Sequence, residues 1–198
     1  MSFPTNYRGQ TLVELMVAIS VIIIGLTAAA SMIFSNLRIQ EISSDRVVAS
    51  NLARQGVEFA KSIRDSNWLA GNAFNTGLQS GTDYTGVPIM NTSGVFTGFD
   101  FTASTIDTDN WTVIKTSSVA PTTGALMGQG PSFTGTTTIF KRLVTMQPIC
   151  SDGTIRVEGA ACVSPLYVVG IRITSQAIWD RRGSRRQSVI VDEIYDWR

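Results

Sequence analysis

The chain has 198 residues, 43% apolar and 16% charged, with 16 Lys and Arg against 15 Asp and Glu and no histidine. A net charge of +1 argues against a dedicated nucleic-acid binder, and the lack of histidine excludes Ser-His and Cys-His nucleophile pairs within the chain. No GxxxxGK or GxGxxG phosphate cradle is present, so the sequence reads as a non-enzymatic protein with no cofactor and no metal.

The first informative stretch is RGQTLVELMVAISVIIIGLTAAASMIF, Arg8 to Phe34. A single carboxylate, Glu14, stands at the mouth of a run that carries no Asp, Glu, Lys or Arg for 23 residues, Leu15 to Leu37. As a helix at ~1.5 Å per residue this run is about 34 Å long, enough for a hydrocarbon core of ~30 Å. An acid at the edge of such a segment is costly to desolvate, so a partner for Glu14 is expected. Arg8 favours a cytoplasmic N-terminus, with Arg38 and Arg46 following the run on its other side.

The segment Gly9-Gln10-Thr11-Leu12-Val13-Glu14-Leu15 closely resembles the processing site of type IV prepilins and type II secretion pseudopilins. The resemblance implies a leader of residues 1–9, cleavage after Gly9 by a prepilin peptidase, and methylation of the new terminus at Gln10 by the same enzyme. The family usually has Phe at that first position. Glu14 becomes the fifth mature residue, which in the family pairs with the terminal amine of a neighbouring subunit. Opposite charges attract strongly in a low-dielectric fibre core, and either one alone is costly there.

Two other readings of the segment are open. A plain single-pass anchor accounts for the hydrophobicity but not for the spacing of Gly9 and Glu14. A secretory signal peptide accounts for Arg8, the run Leu15 to Thr27 and the small residues Ala28, Ala29 and Ala30, although the apolar run continues through Met32, Ile33 and Phe34.

No proline interrupts residues 10 to 68, and Val48, Leu52, Gly56, Phe59 and Ile63 recur at steps of four and three. The spacing predicts one helix of about 55 residues, roughly 80 Å long, with residues 10–37 as transmembrane and assembly segment and 38–68 as its amphipathic continuation. Arg54 with Glu58 and Lys61 with Asp65 are candidate i,i+4 ion pairs on its surface. The continuation is expected to pack beneath a head, and its apolar stripe asks for no cofactor.

Residues 69–139 form a variable part of the head, rich in Gly, Thr and Ser, which resists long helices. Val95 to Phe101 and Trp111 to Ile114 read as edge strands or hairpins, and Val119 to Thr138, crowded with Gly and Pro, as a segment with disorder. Asp107, Asp109 and Asn110 offer oxygens to a Ca²⁺ but lack the glycine and distal glutamate of a calcium loop; a polar turn before Trp111 is the simpler reading. Asn91-Thr92-Ser93 and Asn110-Trp111-Thr112 match the short glycosylation sequon.

Residues 140–198 predict an antiparallel meander of three strands, Phe140 to Ile149, Leu166 to Thr174 and Ser188 to Tyr195. The only cysteines, Cys150 and Cys162, fall in the first connection. They are read as a structural disulfide closing a short loop, which persists only in an oxidising compartment, with two free thiols as the other reading. The second connection, Arg181-Arg182-Gly183-Ser184-Arg185-Arg186, is expected to turn at Gly-Ser. Its four guanidinium groups are read first as a solvated turn that keeps sheet edges apart, and otherwise as a patch for phosphates of nucleic acid or acidic polymers.

The expectation is therefore an α+β, pilin-like subunit: a long N-terminal helix, membrane-spanning in its first half, packed by its second half on an antiparallel head. Such a chain sits in the inner or cytoplasmic membrane with its N-terminus cytoplasmic and its head outside. It then joins other pilin subunits in an extracellular or periplasmic filament. The glycine-rich head favours a minor pilin of a type IV pilus; a secretion pseudopilin and a monomeric membrane-anchored binding protein are the alternatives.

Overall fold

The computed structural model describes residues 11–81, 84–102, 105–118 and 125–197. In chain order, helix α1 (Leu12–Ala70) is followed by β1 (Thr85–Met90), β2 (Phe96–Asp100), a 3-10 turn (Asn110–Thr112), β3 (Val113–Ser118), β4 (Ala125–Gly128), β5 (Thr136–Cys150), β6 (Val168–Arg181) and β7 (Ser184–Tyr195). The architecture is α+β and pilin-like. The chain divides into two compact units, Met1–Asp45 and Arg46–Arg198.

In the second unit every strand pairing is antiparallel, and β5 is the centre of the sheet. One edge of β5 pairs along its length with β6, from Phe140 opposite Trp179 to Cys150 opposite Val168. Its other edge is shared, β3 pairing near its start and β1 near its end. β2 lies outside β1, β4 outside β3, and β7 outside β6. Pro88, inside β1, falls beyond the two residues that pair with β5, so its missing N–H removes no bond to that strand.

The α1 segment from Arg46 onward packs on the face of β5, β6 and β7 that carries Phe140, Val144, Met146, Ile171, Ile173, Ala177, Trp179 and Ile194. Its buried stripe is Ala49, Leu52, Ala53, Gly56, Val57 and Ala60. The expected stripe is thus rotated toward small residues: Leu52 and Gly56 are buried, whereas Val48, Phe59 and Ile63 lie half-buried at its margins. Small side chains let the helix backbone approach the pleated sheet closely. At Gly56 an added Cβ would overlap Ser175 Oγ and stand 3.0 Å from Val144 Cγ2. The opposite sheet face buries Leu143 and Ile178 under Val87 and Ile106.

Arg142 is a buried charge on the helix-facing side of β5, in the same alternating set as Phe140 and Val144. Its Nη1 donates to Leu52 O at 3.1 Å and Gln55 Oε1 at 2.8 Å, and its Nε to Gln129 Oε1 at 3.0 Å. Gln129 Nε2 donates in turn to Thr112 O at 2.8 Å and Arg142 O at 2.6 Å, and the Phe59 ring centroid lies 5.5 Å from the guanidinium. Burial pushes the guanidinium down to about 9, which leaves it cationic at neutral pH. It is held by neutral oxygens and a ring face, tying the helix to β5 and to the residue after β4.

Several expectations are corrected here. Between 125 and 138 the chain is ordered, with β4, a fully buried Phe133 and the start of β5; residues 119–124 lie outside the described residues. β6 and β7 run further toward their shared hairpin than alternation indicated, to Arg181 and from Ser184, while β5 starts earlier, at Thr136, and β6 starts later, at Val168. The last hairpin turns at Arg182 and Gly183, with φ of 54° and 76°, rather than at Gly-Ser. Positive φ at both central residues matches the twist of the flanking strands, and Gly supplies one of them freely. Lys61 pairs with Asp192 of β7 at 2.7 Å and with Glu58 at 3.4 Å, not with Asp65, which Arg64 takes at 2.7 Å. Glu58 is thereby bonded to Lys61 rather than Arg54.

Candidate functional site

Thr11 opens α1. Its carbonyl accepts the N–H groups of Glu14 at 3.0 Å and Leu15 at 3.2 Å, and its hydroxyl lies 3.4 Å from the same Glu14 N–H. Thr11-Leu12-Val13-Glu14 has the S/T-x-x-E spacing of a helix start, and a carboxylate in the first turn is favoured by the positive end of the helix dipole. Glu14 is exposed and has no ion pair among the described residues. Gly9 and Gln10, the expected processing residues, lie outside the described residues.

Beyond Glu14 the helix is apolar on every side. Every residue from Thr11 to Glu41 is exposed, and fifteen large apolar side chains from Leu12 to Leu37 are among them. At ~1.5–3 kcal/mol for each large side chain fully buried, leaving them in water forfeits on the order of tens of kcal/mol. The segment is long and apolar enough to cross a membrane.

Three of its hydroxyls are satisfied within the helix. Ser20 Oγ donates to Met16 O at 2.8 Å, Thr27 Oγ1 to Ile23 O at 3.0 Å and Ile24 O at 2.9 Å, and Ser31 Oγ to Ala28 O at 2.8 Å. Such back-bonding removes the penalty these hydroxyls would carry in lipid or in a dry fibre core. Glu14 is then the one ionisable side chain of the described segment up to Leu37.

In the head, a disulfide joins Cys150, the last residue of β5, to Cys162, with Cα atoms 5.7 Å apart. The loop it closes lies against the start of β1: Thr85 Oγ1 donates to Glu158 Oε2 at 2.6 Å, and the Tyr84 hydroxyl donates to Ala160 O. The four arginines are not gathered into one patch. Arg185 and Arg186 are successive residues of β7 and so point to opposite sheet faces. Arg185 makes a bidentate pair with Asp107, Nη1 to Oδ2 at 3.0 Å and Nη2 to Oδ1 at 2.7 Å. That pairing holds the Asp107 carboxyl below its usual range. Arg186 sits instead beside Arg46, Trp179 and Gln187, while Arg181 is half-buried at the end of β6 and Arg182 occupies the turn.

The carboxylates considered for Ca²⁺ are engaged by the protein: Asp107 by Arg185, and Asp109 by the N–H of Thr105 at 2.8 Å. The Asn91 side chain of the first sequon accepts from Ser93 N–H at 3.0 Å and Val95 N–H at 2.9 Å, and so shapes the β1–β2 turn.

A family model described as the prokaryotic N-terminal methylation motif matches residues 4–30, a stretch that includes Gly9, Gln10 and Glu14. Searches of curated proteins and of solved structures found no match to the chain.

Proposed function

We propose that this chain, a type IV prepilin-like protein by its N-terminal motif, is a structural filament subunit cut between Gly9 and Gln10 and assembled through α1. The motif marks a pilin or pseudopilin-type substrate of prepilin peptidase and implies assembly with other pilin subunits. The observation that carries the proposal is a helix segment whose apolar surface is wholly uncovered and which holds one carboxylate, Glu14, at its start. Lipid covers that surface before assembly, and the helices of neighbouring subunits cover it afterwards.

In this reading the subunit waits in the inner or cytoplasmic membrane with its N-terminus cytoplasmic, and the disulfide-bearing head stands in an oxidising compartment. Moving the helix from lipid into a fibre gains little hydrophobic free energy, because both surroundings are apolar. Specificity must come from polar groups. The amine of Gln10, methylated after cleavage, pairs with Glu14 of a neighbour, and a subunit placed out of register leaves both charges bare in a dry core. The head, with its glycine-rich connections, forms the filament surface, which favours a minor pilin of a type IV pilus.

The test compares Glu14→Gln and Glu14→Lys with wild type in membrane and sheared-filament fractions. Both variants are expected in the membrane at wild-type levels, with Glu14→Gln depleted from filaments and Glu14→Lys absent from them. Normal incorporation of Glu14→Lys overturns the pairing mechanism. Recovery with a secretion complex rather than with pili makes the chain a pseudopilin.

A further inference from the structure

Where α1 ends beside the end of β7, the head opens a cleft of about 610 Å³ that is apolar over most of its lining. Trp68 and Leu69 come from the last turn of α1 and Trp197 from the residues after β7. Trp68 is 59% exposed and Trp197 74% exposed. Two indoles left open to solvent in one cleft forgo burial that such large side chains normally find, and the space is within the ~300–1,000 Å³ range of small-molecule sites.

The polar groups around the indoles narrow the ligand class. The Arg64 side chain, 16% exposed, has its guanidinium 5.3 Å from the Trp197 ring centroid. Its Nε and Nη2 reach Asp65 Oδ1 at 2.8 Å and 2.7 Å. The cleft's own cation thus already occupies a face of Trp197 and offsets the charge of Asp65, so an ammonium ligand would compete with a cation built into the fold. What remains is apolar ring surface edged by the Arg64–Asp65 pair.

A pyranose ring has the complementary make-up. Its axial C–H groups form an apolar face that stacks on the electron-rich face of an indole, and its equatorial hydroxyls both donate and accept around the edge. The geometry points to a carbohydrate-binding site for neutral polysaccharide chains, with Trp68 and Trp197 as stacking platforms and the Arg64–Asp65 pair as the hydroxyl-reading group. This site goes beyond the assembly role: every residue of it lies in the unit Arg46–Arg198, and it uses neither Glu14 nor the methylated terminus.

The experiment uses the full chain in detergent, titrated with β-1,4-linked glucose hexamer and β-1,4-linked N-acetylglucosamine hexamer and followed by tryptophan fluorescence and calorimetry, with tetramethylammonium as the cationic probe. Saturable binding of at least one hexamer is expected. Trp197→Ala and Trp68→Ala should each weaken it about tenfold or more, the scale of truncating an aromatic anchor. Glu14→Gln should bind as wild type, which separates this site from filament assembly. The proposal is overturned if neither hexamer binds, if binding survives both tryptophan substitutions, or if tetramethylammonium binds in the cleft and the sugars do not. Acrylamide quenching supplies an independent arm: Trp68 and Trp197 should stay accessible in assembled filaments, and their protection there would make a second copy of the chain the occupant and overturn the proposal.

Discussion

Replacing Gly56 by Ala probes how closely α1 meets the sheet. An added Cβ would overlap Ser175 Oγ and press on Val144 Cγ2 at 3.0 Å, both in fully buried residues. Overpacking of this kind costs ~1–3 kcal/mol, while Ala in place of Gly inside a helix returns about 1 kcal/mol, so Gly56→Ala should destabilise the head by roughly 0–2 kcal/mol. Ser175 Oγ is itself buried with no hydrogen-bond partner. Removing an unsatisfied hydroxyl relieves a penalty of ~1–3 kcal/mol, so Ser175→Ala alone should stabilise, by about 1 kcal/mol once the lost packing is counted.

In the double variant the overlapping atom is gone, and the helix-propensity gain of Gly56→Ala is no longer opposed by it. Its stability should exceed wild type, with a coupling between the two positions of about 1–3 kcal/mol. Urea unfolding of the four proteins, followed by tryptophan fluorescence of the full chain in detergent, gives the cycle. An identical effect of Gly56→Ala in the wild-type and Ser175→Ala backgrounds would refute the close contact.

Three further outcomes follow from the head. Arg142→Ala leaves Leu52 O, Gln55 Oε1 and Gln129 Oε1 without that donor, at ~1–3 kcal/mol for each acceptor left buried and unpaired, and so should destabilise by a few kcal/mol; Arg142→Lys should recover little, because a point ammonium cannot replace the planar fork. Wild-type stability in either variant, measured by the same unfolding assay, would contradict this. The hydrogen bond between Lys61 and Asp192 lowers the carboxyl from its ordinary 3.8 and raises the amine from its ordinary 10.5. The pair's contribution is therefore full between those two values, lost on the acid side as pH falls from 3.8 through the lowered carboxyl, and lost on the alkaline side only above 10.5. Tm of wild type should fall more steeply below about pH 4 than Tm of Lys61→Met, and parallel acid limbs would refute it. Losing the disulfide through Cys150→Ala with Cys162→Ala should cost ~3 kcal/mol, the entropy of a short closed loop; an unchanged urea midpoint would contradict that.

The membrane-length helix was legible because fifteen large apolar residues and a single carboxylate leave few alternatives. The long strands were legible from alternation, but their hairpin ends were not, since Arg181, Arg185 and Arg186 continue β6 and β7 with polar side chains that carry no hydrophobic period. The predicted stripe of α1 included the buried Leu52 and Gly56 but also Val48, Phe59 and Ile63, whereas closest approach to the sheet selects Ala49, Ala53 and Ala60 as well, which score weakly for lack of bulk. Arg142 gave no signal: a lone arginine between apolar neighbours reads as surface, and its acceptors come from Leu52, Gln55 and Gln129, distant in the chain. β1 was hidden by Gly86 and Pro88, and the tryptophan cleft unites residues 64–69 with 196–197, a juxtaposition only the fold supplies. Of the processing and assembly residues, the motif spacing alone speaks, since Gly9 and Gln10 lie outside the described residues.

The intact mass and N-terminal peptide of the protein from its native membrane, read by mass spectrometry, test the central claim most directly. The account predicts a mature chain that begins at Gln10 and is heavier by one methyl group at that terminus. A chain beginning at Ser31, as left by signal peptidase, or one retaining Met1, as in a plain anchor, would contradict it.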